Sequence, residues 1–159
     1  MTPDEVLALV NAESEASAKV AYWTLDGVVC ANGVTYGAAY PVTQFILAVL
    51  PECTLPARAR CLELLGQIAV GASCADAPDV TERCRAELWQ ASWALLHGLQ
   101  FDAVNLAWLY VDLLGVLAES HRSFRPRAIQ YLTLALTRQL PQRDRDMVHN
   151  TIALLQQLS

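Results

Sequence analysis

Charge is scarce in this sequence, at 17% against 54% hydrophobic residues, and that balance excludes a disordered chain. Long apolar runs are missing as well. The longest, around Val104–Leu117, is interrupted by Asn105 and Asp112 and falls short of the roughly 20 residues that a membrane span requires. The opening residues, MTPDEVLALVNAESEAS, carry acids where a secretory signal carries cations, so a cytoplasmic protein is expected. Lysine is almost absent: Lys19 stands alone among eleven basic residues. There is no C-x-x-C pair, and five cysteines (Cys30, Cys53, Cys61, Cys74 and Cys84) make an odd number. Without an export signal, that pattern reads as buried small hydrophobes rather than a disulfide framework. A redox or metal pair at Cys74 and Cys84, flanking ADAPDV, is the sharper alternative, and no histidine lies near it.

The motifs of catalysis and cofactor binding are also lacking. No glycine-rich phosphate loop, H-E-x-x-H or G-x-S-x-G occurs, and E-x-x-H repeats of a di-metal bundle are absent. No cofactor and no metal are therefore expected. His97 and His121 fall near expected helix C-termini, where a cation favours the helix dipole. The carboxylate pairs Glu13/Glu15, Glu82/Glu87 and Asp144/Asp146 fall at capping or solvent-facing positions.

Net charge is −5, unevenly spread. Residues 1–30 hold five acids against Lys19, whereas residues 101–159 hold six arginines against five acids. An acidic end disfavours nucleic acid and suits a basic partner protein.

No stretch alternates as a strand does, and short Pro, Gly, Asp and Ser signals divide the chain into helical segments. A short helix follows Thr2, and a second runs from about Ser14 to Val29 with Val20, Trp23 and Val28 among its apolar positions. Thr35 is expected to cap the next, Thr54 and Pro56 to open "TLPARARCLELLGQIAV", and Asp79 with Glu82 to form a capping box. The segment from Asp79 to Gly98 reads as one helix, and Phe101–His121 as the most buried one. Two more run from Ser123 to Leu140 and from Pro141 to Leu158.

These helices pair as 3–30, 35–71, 79–119 and 123–158, and the last three pairs begin 44 residues apart. A period of about 40–47 residues with two helices per unit implies an all-α, HEAT- or armadillo-like solenoid of about four helix pairs in a single domain.

The stretch GVTYGAAYPVTQFILAVLP (Gly33–Pro51), with VAYWTLDGVV before it and ARARCLELLGQIA after it, resembles a segment of small bacterial HEAT-repeat proteins. The likeness covers residues 14–71; Gln44 and the insertion GASCADAPD depart from it. It implies that Pro41 kinks a first helix around the stack, with Gly37 easing the clash.

In such an array the second helices line the concave face. That geometry nominates Tyr22 and Asp26, then Glu63 and Gln67, then Asn105, Trp108 and Asp112, then His149 as a partner-binding surface. Asp102, Asn105, Asp112 and Glu119 recur at 3, 7 and 7 residues, which on a continuous helix places them on one face around Trp108. The expected function is a non-catalytic protein–protein interaction module, most simply an immunity or antitoxin-type protein that blocks a basic cleft in a toxin. The alternatives are a HEAT-like DNA glycosylase-type enzyme built around Asp112 and Trp108, and a self-associating structural subunit. Trp89 and Trp93, four apart, are expected in the core rather than in a self-association patch.

Overall fold

Side-chain oxygens and prolines start the helices much as their spacing predicts. In the computed structural model, which describes residues 3–158, Ser14 caps α2 (Glu15–Val29) through a reciprocal box with Ser17. Thr54 caps α4 (Leu55–Val70) by accepting the Ala57 N–H, with Pro56 in the first turn. Pro126 lies in the first turn of α8 (Arg125–Ala135), and Pro141 immediately precedes α9 (Gln142–Gln157). The expected cap at Thr2 lies outside the described residues; α1 spans Pro3–Val10. The remaining helices are α3 (Ala39–Val49), α5 (Val80–Gln90), α6 (Ser92–Phe101) and α7 (Ala107–Ser120). The described chain is mostly helical, as expected of an all-α protein.

Three departures have physical causes. Asn32 and Gly33 both take positive φ, 52° and 75°, and make a tight hairpin turn. It joins β1 (Cys30–Ala31) to β2 (Val34–Thr35) in antiparallel register, and β2 pairs in parallel with β3 (Ala72–Ser73). Two residues are too few to show alternation in sequence, which is why no strand was expected. Thr35 is consequently not a helix cap: it is fully buried in β2, and its hydroxyl donates to the Ile68 carbonyl at 3.4 Å. Pro41 is the third residue of α3, in the first turn, where its missing N–H has no intrahelical partner to lose. It opens the helix and does not interrupt it.

The second departure is at Ala91. The stretch expected as one helix from Asp79 to Gly98 is two, α5 and α6. The Thr81 N–H is taken by the Ser73 hydroxyl at 3.0 Å, while Glu82 pairs with Arg85 at 2.6 Å instead of turning back as a capping-box acid. The third is at Phe101, where α6 ends; a 3₁₀ turn over Val104–Leu106 precedes α7. Equal 44-residue spacing therefore does not survive, since it counted Thr35 as a helix start and ran α5 into α6.

Contacts divide the chain into two units, Met1–Trp89 and Gln90–Ser159. In the first, α1 packs on α2, α2 on α4, and α3 on both α1 and α4. Leu9, Leu25, Ile46, Leu62, Leu65 and Ile68 fill its core, each fully buried side chain worth roughly 2 kcal/mol. Arg58 closes the α3–α4 connection by donating to the carbonyls of Leu50, Pro51 and Cys53 at 3.1, 2.9 and 2.8 Å. α5 is held to α3 by the Tyr40 hydroxyl on Glu87 (2.8 Å) and by Arg83 over the Tyr40 ring (3.9 Å). In the second unit α6 packs on α7 and α8, and α9 packs on α7 and α8. α7 buries residues around its circumference, as its apolar sequence predicts. Gly98 lets α6 approach Tyr110 of α7 so closely that an added Cβ would stand 2.4 Å from the ring.

Candidate partner-binding face

α2 carries apolar residues on two sides. Ala18, Ala21, Tyr22, Leu25 and Val29 face the core. Val20, Trp23 and Val28, expected on the apolar face, instead point to solvent, with Val20 70% and Trp23 60% exposed. One helix side suffices for burial, so the surplus forms an exposed ridge, and exposed apolar patches of this kind mark interaction sites. Trp23 meets the Tyr22 ring edge-on at 5.2 Å, which fixes its base while leaving its far side open.

Polar groups flank this ridge on the α4 side. Tyr22 and Asp26 lie one turn apart on α2, and Glu63 and Gln67 one turn apart on α4, which packs against it. Arg60 joins the two helices by bonding Glu15 of α2 and Glu63 of α4, the latter at 2.7 Å, and its guanidinium lies 5.8 Å over the Tyr22 ring. The Cys30 thiol donates to the Gln67 carbonyl at 3.7 Å. A cleft of about 270 Å³ opens here, lined by Asp26, Cys30, Asn32, Gly33, Gln67 and Val70. The Tyr22 hydroxyl and Asp26 Oδ1 are buried without a hydrogen-bond partner. Desolvation and then the Glu63 charge hold the Asp26 carboxyl above the usual carboxylate range; burial, followed by Glu63 and Asp26, pushes the Tyr22 phenol well up. On the other side of the ridge a groove of about 730 Å³ between α1 and α2 has Ala8, Val20 and Ala21 in its walls and Asp4 and Glu5 at its edge.

Four of the residues nominated from sequence, Tyr22, Asp26, Glu63 and Gln67, thus come together in the first unit. The other four lie in the second. Asn105 is exposed in the 3₁₀ turn, Trp108 is half-buried in the first turn of α7 beneath the Arg143 guanidinium (5.3 Å), and Asp112 is one turn further on, its carboxyl raised by desolvation. The stripe from Asp102 to Glu119 is not one helix face. Asp102 ends α6, where its carboxylate accepts from the Ala103 N–H (2.8 Å) and the Tyr110 hydroxyl (2.7 Å). His149 is exposed on α9. Asp144, expected at a capping or solvent-facing position, is in the first turn of α9 and buried.

Sequence reasoning missed Trp23 as a surface residue because its apolar character was assigned to the core. Trp93 was misread in the same way: it is 57% exposed, with Arg127 over its ring at 4.8 Å and Tyr131 edge-on at 6.4 Å. His121, as expected, ends a helix; His97 lies inside α6 against Phe101. All five cysteines are free thiols, with Cys84 buried on α5 and Cys74 half-buried. Among the described residues no cluster of His, Cys, Asp and Glu forms a metal site, and no helix is long and apolar enough to cross a membrane. No family model matches the chain, and neither a curated protein nor a solved structure matches it.

Proposed function

We propose that the chain is a non-catalytic interaction module that docks the α2–α4 face of its first unit on a basic partner protein, as an immunity- or antitoxin-type inhibitor does when it covers a toxin's cleft. The observation that carries this reading is the exposed Val20–Trp23 ridge beside a cleft lined by Asp26, one of whose carboxylate oxygens is buried without a partner. An aromatic anchor bordered by polar groups is the composition of a binding hot spot. Charge supports it: residues 1–89 hold eleven acids against five cations, whereas residues 90–159 hold five against six. A basic surface is drawn to the first unit and nucleic acid is repelled by it.

The helix order supports a HEAT-like reading of each unit. In both, two successive helical hairpins lie side by side, first helix near first and second near second. The full four-pair solenoid is part of this proposal, with α5 as an additional helix that the regular period does not include.

Capture on immobilised protein from a lysate of its own source tests the function. One protein retained by the wild type and released by Val20→Glu or Trp23→Ala, both on solvent-facing positions, is the expected result. Retention unchanged in both variants would remove the face from the proposal.

A second reading, a self-associating subunit, draws on the exposed Trp93, Phe101 (75%) and Leu134 (51%) of the second unit. Sedimentation at increasing concentration, with Phe101→Glu as the control, separates it from the first: only self-association gives a mass that rises with concentration and falls back in the variant.

A further inference from the structure

We infer that the cleft between α2 and α4 is a receptor for one guanidinium group, an arginine side chain of the docking partner, with Asp26 as its counter-ion. The inference rests on the docking reading above and names what the cleft takes.

Of the acids Glu15, Asp26 and Glu63 on α2 and α4, Asp26 is the one that lines the cleft. Arg60 bonds both Glu15 and Glu63. Asp26 has no such pairing, and one of its carboxylate oxygens is out of contact with water and with any donor. A buried oxygen of this kind costs about 1–3 kcal/mol when left unmade, so the fold carries a penalty that an incoming donor removes. The Tyr22 side chain supplies the independent sign. It is 1% exposed, its hydroxyl has no partner either, and it interacts electrostatically with Asp26, Glu63 and Cys30. One helix, α2, thus leaves two buried polar atoms unsatisfied a turn apart, and one of them, Asp26 Oδ1, belongs to a residue that lines the open cleft.

Shape selects the ligand. A cleft of about 270 Å³ is too small for a drug-sized molecule, which takes about 300–1,000 Å³, and suits a single side-chain head group. Val70 contributes an apolar wall, and Gln67 a second polar group at helical spacing from Glu63. A flat, weakly hydrated cation with several fixed donors fits a carboxylate and an amide set beside an apolar wall better than a compact, strongly hydrated ammonium does. The chain itself provides the precedent one turn away, where the guanidinium of Arg60 lies over Tyr22 and bonds two carboxylates.

Charge linkage gives the site a pH signature. Asp26 is faced by Glu63 from α4 and by Tyr22 and Cys30 from its own side, and burial with the Glu63 charge holds its proton above the usual carboxylate range. A cation binds only after that proton leaves, so binding strengthens as pH rises through the Asp26 titration and levels off above it.

The test needs no partner. N-acetyl-arginine amide is titrated into the full chain while the backbone amide shifts of Asn32, Gly33 and Gln67 are followed by NMR, with N-acetyl-citrulline amide and N-acetyl-lysine amide alongside. Saturable shifts at these amides, absent with citrulline, weaker with lysine and lost in Asp26→Asn, are expected. Val70→Trp, at a position 63% exposed, closes the mouth without entering the core and should abolish the shifts too. Equal response to citrulline, equal or stronger binding of lysine, or shifts that persist in both variants would overturn the assignment. Such a failure leaves the Val20–Trp23 capture result untouched, whereas loss of capture alone leaves this titration unchanged.

Discussion

At the scale of single residues, Tyr22 and Asp26 are expensive in the isolated chain. Tyr22→Phe removes a buried hydroxyl that makes no hydrogen bond while keeping the ring under Arg60, so it should raise unfolding free energy by about 1 kcal/mol in urea titrations. A loss of stability would instead reveal a partner for that hydroxyl. Asp26 acts through pH. Its folded-state carboxyl binds its proton more tightly than the unfolded one, so the native chain holds more protons between the two titration points. Stability from this group is therefore greatest below the unfolded value of about 3.9 and is lost as pH rises through the folded one. Asp26→Asn should raise Tm at neutral pH and leave it unchanged in acid; a uniform shift across pH would point to packing rather than titration.

Elements show which parts of the fold were readable. Ser14, Thr54, Pro56, Pro126 and Pro141 marked helix starts because capping and proline act locally, within one turn of the residue that causes them. The α5–α6 break at Ala91 was not legible, since Gln90, Ala91 and Ser92 contain neither glycine nor proline. The break depends on what each helix packs against, which a local pattern does not carry. Asn32-Gly33 was readable as a break, but strands of two residues left no alternation beside it to mark a hairpin. Of the candidate face, the pairing of Tyr22 and Asp26 with Glu63 and Gln67 followed from setting second helices side by side, as α2 and α4 are. Trp23 did not, because α2 has more apolar residues than one buried side accommodates. A glycine provides the element-scale test. Gly98→Ala would drive a methyl to 2.4 Å from the Tyr110 ring, displacing the hydroxyl that bonds Asp102 and forcing α6 from α7. We expect a loss of about 1–3 kcal/mol, read by chemical denaturation, with the Tyr110→Leu background recovering part of it. A neutral effect in the wild-type background would mean that the two helices separate freely at this point.

Across the whole molecule the division of charge matters more than its sum. The net −5 is carried by residues 1–89, while residues 90–159 are close to neutral with one cation in excess. A partner drawn by charge should therefore sense the first unit from a distance before any contact is made. Long-range steering acts on association rates and is screened beyond about 10 Å at 0.1 M salt, whereas contacts formed in the cleft govern dissociation. With a captured partner in hand, surface plasmon resonance should show an association rate that falls steeply with salt and a dissociation rate that barely moves. Asp4→Lys with Glu13→Lys, both exposed residues of the first unit, should slow association without changing dissociation. Arg143→Glu in the second unit should leave both rates close to wild type, although it removes the cation over Trp108. If Arg143→Glu or Trp108→Ala slows association or speeds release while the first-unit pair has no effect, the face belongs to α7 and the 3₁₀ turn before it, where Trp108, Asp112 and Asn105 lie, and the α2 ridge is an incidental surplus of apolar side chains.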